Sequence, residues 1–250
     1  MAEIETVGNV VIETYRNIMH DIQSPTKKDP FSLTESPIEE SFLLGIRKFL
    51  TQEIEIIPQY WVKTPHGNFR LDFVFKIPGG KSICFECDGQ DYHEMYKDFI
   101  RDVLVLQHSD ISEIIRINGF GINFALESCL YFIFKCHPDL LKEGMIQGIE
   151  HLLSEREIND ITCEVKLDFG SQEVPFSWNI DACREYDTLP VKIYRREKKE
   201  TVNPAKFLFK DVINFIELNK KLDFEQLNEK YYEKVKEAVK RFCQYGKMEK

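Results

Sequence analysis

Three carboxylates lie in two short runs, Asp72 in Phe69-Arg70-Leu71-Asp72-Phe73, and Glu86 and Asp88 in Phe85-Glu86-Cys87-Asp88-Gly89. Between them sits Ile77-Pro78-Gly79-Gly80, a turn signal of Pro followed by Gly. The two runs therefore read as the arms of a β-hairpin. Alternation along a strand puts Leu71, Phe73 and Phe75 on one face and Arg70, Asp72 and Val74 on the other. On the second arm Cys84, Glu86 and Asp88 share a face, opposite Ile83, Phe85 and Cys87. A register that sets Asp72 against Glu86 or Asp88 gathers three acids at one end of a sheet. Such a cluster repels itself unless a cation sits within it. Hard oxygen donors suit Mg²⁺ or Mn²⁺. An ordinary solvated hairpin would carry the same acids, and these two runs alone do not separate the two readings.

The neighbouring elements must position those acids. Ser36-Pro37-Ile38-Glu39 is a helix start, with Ser36 as N-cap, Pro37 at the first helical position and Glu39 closing a capping box. Phe42, Ile46 and Phe49 mark the buried face of that helix. Ile54 to Val62 reads as a strand, and Pro58 assigns its middle to a sheet edge or a bulge. A helical run from Glu94 to His108 follows the second arm, with Phe99, Val103 and Leu106 as its apolar stripe. Lys97 and Arg101, four residues apart, share one of its faces. Glu113 to Ile117 is a short strand closed by Asn118-Gly119. The order helix, strand, strand, strand, helix, strand implies an α/β fold with a mixed central sheet and a parallel pair at its last crossover.

Outside that block the signals are sparser. Residues 7–22 have helical spacing and residues 23–35 read as a linker, so 1–35 is taken as an N-terminal arm. The core is placed at 36–137, ending near His137-Pro138, and 138–250 as an α+β region of unknown role. Within it, Ile161 to Val165 and Leu189 to Ile193 look like strands, and residues 204–243 look helical.

The 250 residues are 43% hydrophobic, enough to bury one substantial core. No apolar run approaches the roughly 20 residues that span a bilayer, and the N-terminal segment lacks the pattern of a secretory signal. Seven dispersed cysteines, of which Cys84 and Cys87 have C-x-x-C spacing but fall on opposite faces of a strand and so make poor joint zinc ligands, fit reduced thiols and a cytoplasmic setting. The net charge of −9 is uneven: residues 191–250 hold 16 Lys+Arg against 10 Asp+Glu, whereas residues 1–190 hold 17 against 32. A basic tail on an acidic body fits a nucleic-acid footprint or a solvated helix equally.

Taken in order, Ser36-Pro37-Ile38-Glu39, Pro58-Gln59, Arg70-Leu71-Asp72-Phe73, Glu86-x-Asp88-Gly89-x-x-Tyr92-His93, Arg101-Asp102 and Ile114-Ile115-Arg116-Ile117 resemble the PD-(D/E)XK nuclease superfamily. They look closest to the branch related to very-short-patch-repair endonucleases. The resemblance covers about residues 36–120. It implies a restriction-endonuclease-like core and a metal-dependent DNA endonuclease, of the kind used in restriction, repair or phage defence. Carried over by position, it implies that Glu39 is the acid of the first helix, Asp72 the central metal ligand and Glu86 the second acid. The backbone carbonyl of Cys87 would be a third ligand to Mg²⁺ or Mn²⁺. His93 would be a general base or a phosphate contact, and Asp88 would extend the site. Lys97 and Arg101 would contact phosphates. The chain departs from the superfamily at Asp88, where a lysine is usual, as that branch also does. A competing reading is a nuclease-fold protein without cleavage activity that binds nucleic acid or a protein partner. DNA is favoured over RNA on the resemblance alone. The region 138–250 is the candidate for substrate choice, homodimerisation or partner docking.

Overall fold

The computed structural model describes residues 33–89, 95–166, 173–181, 188–198 and 207–248. The helix expected over 7–22 lies outside these residues, and so does His93. Helix α1 (Pro37–Arg47) is followed by strands β1 (Glu55–Thr64), β2 (Gly67–Ile77) and β3 (Lys81–Asp88), helix α2 (Met95–His108) and strand β4 (Glu113–Asn118). Helices α3 (Gly119–Phe124), α4 (Leu126–Cys136), α5 (Met145–Glu150) and α6 (Glu155–Lys166) come next. Strands β5 (Glu173–Asp181) and β6 (Thr188–Glu197) and helices α7 (Phe207–Leu218) and α8 (Phe224–Met248) complete the described chain.

The architecture is α/β around one mixed sheet with strand order β1-β2-β3-β4-β6-β5. Only β3 and β4 run parallel, joined through α2, and the other four neighbouring pairs are antiparallel. Pro58 lies on β1, at the sheet's edge, where a missing backbone donor is tolerated.

Local sequence explains α1. Ser36 is the N-cap, its hydroxyl accepts from the Glu39 N–H, and Pro37 opens the helix. Phe42 then packs its ring against Phe73 and Phe85, with centroids 6.0 and 5.5 Å away, and Phe75 adds a contact to Phe85 at 4.7 Å. A Cβ on Gly45 would stand 2.4 Å from the Leu126 side chain, so α1 and α4 approach where no side chain intervenes. A second core gathers Val74, Cys84 and Ile114 with Phe99, Val103 and Leu104 of α2, Phe215 of α7 and Leu227 and Tyr231 of α8. The sheet is thus buried on two sides, and β3 has six of its eight residues buried.

Three expectations are corrected. Leu71 belongs to the α2-side core with Val74, whereas Phe73 packs its ring on Phe42 and Phe75 on Phe85, so Leu71 does not share their surroundings. The change falls beside Gln59, a non-glycine with φ of +51° between the register pairs Pro58–Phe73 and Tyr60–Leu71. Ile161 to Val165 is helical, not a strand, because Ser154 and Glu157 form a capping box that starts α6. The chain after residue 137 does not stand apart from the preceding core: β6 pairs with β4 and extends the same sheet. Among the described residues, no helix is long and apolar enough to cross a membrane.

The β4–β6 junction holds a buried charge cluster. Glu113 accepts from His137 Nε2 at 2.9 Å and Arg195 Nε at 2.5 Å, with Lys81 Nζ 3.6 Å from its other oxygen. Burial opposes the Glu113 charge, but the His137 hydrogen bond and the charges of His137 and Arg195 outweigh it and pull its pKa from 4.5 to about 2. A lowered carboxyl pKa stabilises the fold above the unfolded value and is lost as pH falls through the folded one. We expect Glu113→Gln to cost about 3 kcal/mol at neutral pH. The deficit against wild type should shrink as pH falls from 4.5 towards 2, measured by denaturant titration. A deficit independent of pH over that window would refute the assignment.

Candidate active site

The β2–β3 ladder ends at the pair Phe73–Phe85, and just beyond it Asp72 comes near enough to Glu86 for their charges to repel. Asp72 Oδ2 accepts from the Cys87 N–H at 2.8 Å, which fixes its carboxylate across the strand gap. Among the described residues it has no ion-pair partner. Burial, followed by the charge of Glu86, raises the Asp72 pKa from 3.8 to about 8. The Cys87 N–H and the more distant Arg101 pull it back, and Glu39 pushes it further up. Two acids that cannot comfortably both ionise thus share the end of the hairpin.

Glu39 reaches the same place from α1. Its carboxylate takes the Ser36 hydroxyl at 2.8 Å and the Glu35 N–H at 3.1 Å, one residue before the N–H that the expected capping box would use. The oxygen that meets Glu35 also accepts from the Gln59 side-chain amide at 2.8 Å. Gln59 is the residue held at φ +51°, a conformation that costs a non-glycine residue of order 1 kcal/mol or more. That backbone turns its amide toward Glu39 beside Asp72. Neither propensity nor periodicity assigned Gln59 a role. Its available signal was the Pro58-Gln59 step, which entered the family resemblance without a role attached.

The third acid is diverted. Asp88 accepts from Arg116 at 2.7 Å. Arg116, 1% exposed, also bonds both oxygens of Asp102 at 2.8 and 2.9 Å. Arg196 meets Asp102 from β6 and lies over the Phe99 ring at 5.2 Å. Burial opposes the Asp102 charge, but Arg116 and Arg196 hold its pKa below the usual range. Arg116 sits opposite Glu86 in the parallel β3–β4 register. Its sequence signal was a lone cation within Ile114-Ile115-Arg116-Ile117.

Arg101 turns inward rather than outward. Its guanidinium meets Glu86 Oε2 at 3.2 Å and Oε1 at 3.1 Å, and the Arg70 carbonyl at 2.6 Å. Lys97, expected on the same outward face, is paired with Glu225 of α8 at 2.9 Å and lies 5.7 Å from the Phe224 ring. The Cys87 thiol is buried, and burial with the surrounding acids pushes its pKa well up, so it is a neutral thiol and not a thiolate ligand.

The structure therefore brings Asp72, Glu86, Glu39 and Arg101 together, ties Asp88 to Arg116, and sets Lys97 against α8. The donor chemistry fits a hard divalent cation: a half-buried carboxylate without an ion-pair partner, a buried second carboxylate beside it, and a backbone strand end. Among the described residues, no group of three or more His, Cys, Asp or Glu side chains is arranged to hold a metal. No protein-family model, curated protein or solved structure matches the chain.

A raised carboxyl pKa means that the folded chain binds the Asp72 proton more tightly than the unfolded chain does. Stability should therefore fall as pH rises from about 4 to about 8, and level off above. Asp72→Asn keeps an acceptor for the Cys87 N–H and removes the charge. In metal-free buffer at pH 8.5 it should be more stable than wild type, by on the order of 2 kcal/mol after allowance for solvent at the partly open site. The advantage should vanish near pH 4. Parallel pH–stability curves for the two proteins would contradict the buried-repulsion account.

Proposed function

We propose that the chain is a metal-dependent endonuclease that hydrolyses phosphodiester bonds in DNA. The observation that carries this reading is the Asp72–Glu86 pair at the end of a β-hairpin, Glu86 buried and Asp72 half-buried, with one arginine for two acids. It rests also on the resemblance to the PD-(D/E)XK nucleases, whose restriction-endonuclease-like core the element order α1-β1-β2-β3-α2-β4 would match. Asp72, Glu86 and the Cys87 carbonyl would hold Mg²⁺ or Mn²⁺. When bound, such an ion supplies positive charge to the phosphoryl oxygens and makes water more acidic.

The chain's own groups have separable tasks on this reading. The Cys87 N–H orients Asp72, and the Gln59 amide with the Ser36 hydroxyl and the Glu35 N–H orients Glu39. Arg116 holds Asp88 as part of the framework, which leaves the proton-accepting role to another group. His93 is the candidate from the resemblance, as a base or a phosphate contact with an ordinary pKa near ~6.5. The basic balance of residues 191–250 supports an anionic partner, with DNA favoured over RNA, in the cytoplasm.

A second reading has an observation of its own. Arg101 bonds both oxygens of Glu86, and the position usual for a catalytic lysine is an aspartate engaged with arginine. Those features suit a nuclease-fold protein that binds nucleic acid or a protein partner without cutting.

The two readings diverge in a plasmid assay with Mg²⁺ or Mn²⁺. We expect metal-dependent nicking or cleavage by wild type. Asp72→Asn and Glu86→Gln should each lower the rate by at least about a hundredfold, as the loss of several kcal/mol of charge stabilisation requires. Both variants should keep the wild-type circular dichroism spectrum. Metal-independent cleavage, or equal cleavage by all three proteins, would overturn the assignment; no cleavage by wild type would favour the binding reading.

A further inference from the structure

Arg101 is a cation placed where another cation is wanted. Its side chain is 18% exposed, against 1% for Arg116 on the neighbouring strand. Arg116 is saturated by Asp88 and Asp102 at 2.7 to 2.9 Å, the ordinary range for charge-assisted bonds. Arg101 reaches Glu86 at 3.1 and 3.2 Å, longer than that range, and its tightest contact is to the neutral Arg70 carbonyl. The Glu86 carboxylate is 4% exposed, so a partner is required there for the charge to persist. Asp72, beside it, has no partner of this kind among the described residues.

We propose that Arg101 is an internal counter-ion that competes with a divalent metal for Glu86, and that metal binding releases its guanidinium from the carboxylate. The proposal rests on the metal-dependent reading above and concerns how that site is controlled. A guanidinium bonded to both oxygens of Glu86 takes one lone pair on each and already supplies the positive charge a metal would bring. A metal bound between Asp72 and Glu86 in turn places two positive groups against each other. The two occupants therefore compete through charge repulsion, and the apparent metal affinity is reduced by the fraction of molecules in which Arg101 holds the carboxylate. Freed at the 18%-exposed edge, the guanidinium keeps a planar donor fork suited to a phosphodiester. The site would thus stay neutralised until the metal arrives, and a bound phosphate would stabilise the released arginine.

The test is calorimetric titration of Mn²⁺ and Mg²⁺ into the full chain at fixed pH and ionic strength. Arg101→Gln removes the charge and keeps a polar side chain of similar reach. It should bind Mn²⁺ about tenfold more tightly than wild type, and Arg101→Lys should fall between them. A purely structural arginine predicts the opposite, since damage to the site weakens binding. Should Arg101→Gln be too unstable in the absence of metal, Arg101→Lys carries the comparison. In Arg101→Gln, Mn²⁺ should also raise Tm by more than it does in wild type. Equal or weaker Mn²⁺ binding by both variants, with wild type binding and Asp72→Asn not, would overturn the competition and leave the metal site standing. No saturable binding by any of the proteins would overturn both.

Discussion

The structure depends on a register fixed by aromatic packing and a charge cost accepted because of it. Phe73 and Phe85 pair across β2 and β3, and Phe42 and Phe75 close around them. A slip of one residue would turn these rings toward the opposite side of the sheet, so the pairing is strongly specified. The same register brings Asp72 near Glu86. Each fully buried phenylalanine contributes about 1.5–3 kcal/mol, and four such rings exceed the few kcal/mol by which an Asp72 pKa near 8 disfavours its charge. The core therefore decides where the acids go, and the acids need not favour their position. An apolar cluster can hold two carboxylates together with a single arginine, Arg101, bonded to only one of them.

Arginines from distant parts of the chain complete the arrangement. Arg116 on β4, Arg196 on β6 and Arg101 on α2 neutralise Asp88, Asp102 and Glu86. Arg195 does the same for Glu113 at the other end of β4. Buried pairs of this kind cost desolvation about as much as they return in attraction, so they are weak sources of net stability. They are strict about partners, because a charge left alone in the interior is expensive. That strictness ties β6, from the region after residue 137, to α2 and β4. It gives the C-terminal strands a physical role in holding the layer behind the site, whatever else they do.

The block from Ser36 to Asn118 was legible because its signals are local. The Ser36 cap, the Pro78-Gly79-Gly80 turn and the apolar stripe of Phe99, Val103 and Leu106 each specify an element within a few residues. Asp72 beside Glu86 followed from alternation once a register was assumed. What escaped depended on residues far apart in sequence. Gln59 meets Glu39 across 20 positions, Arg116 meets Asp88 across 28, and Arg196 meets Asp102 across 94. The inward turn of Arg101 depended on an unpaired buried acid, which spacing along α2 does not encode. Ile161 to Val165 misled for a different reason: alternation over five residues is short enough to coincide with one face of a helix, and the Ser154–Glu157 capping box was the stronger cue.

Asp88 shows how a position can leave a chemical role and keep a structural one. Had it faced open solvent, it could take up a proton or orient water beside Glu86. Instead Arg116 bonds it and Asp102 together, and Arg116 is almost wholly buried. Freeing Asp88 would leave the buried Arg116 charge without its shortest carboxylate bond, with Asp102 and the longer pair to Asp98 remaining. The strand end is thus a rigid frame, and the adaptable groups lie in front of it: Asp72, with one hydrogen bond, and Arg101, with long bonds to Glu86. On the proposed reading, a rigid frame carrying two loosely committed charges separates positioning from chemistry, so that the frame can hold the acids in place while the cation between them changes.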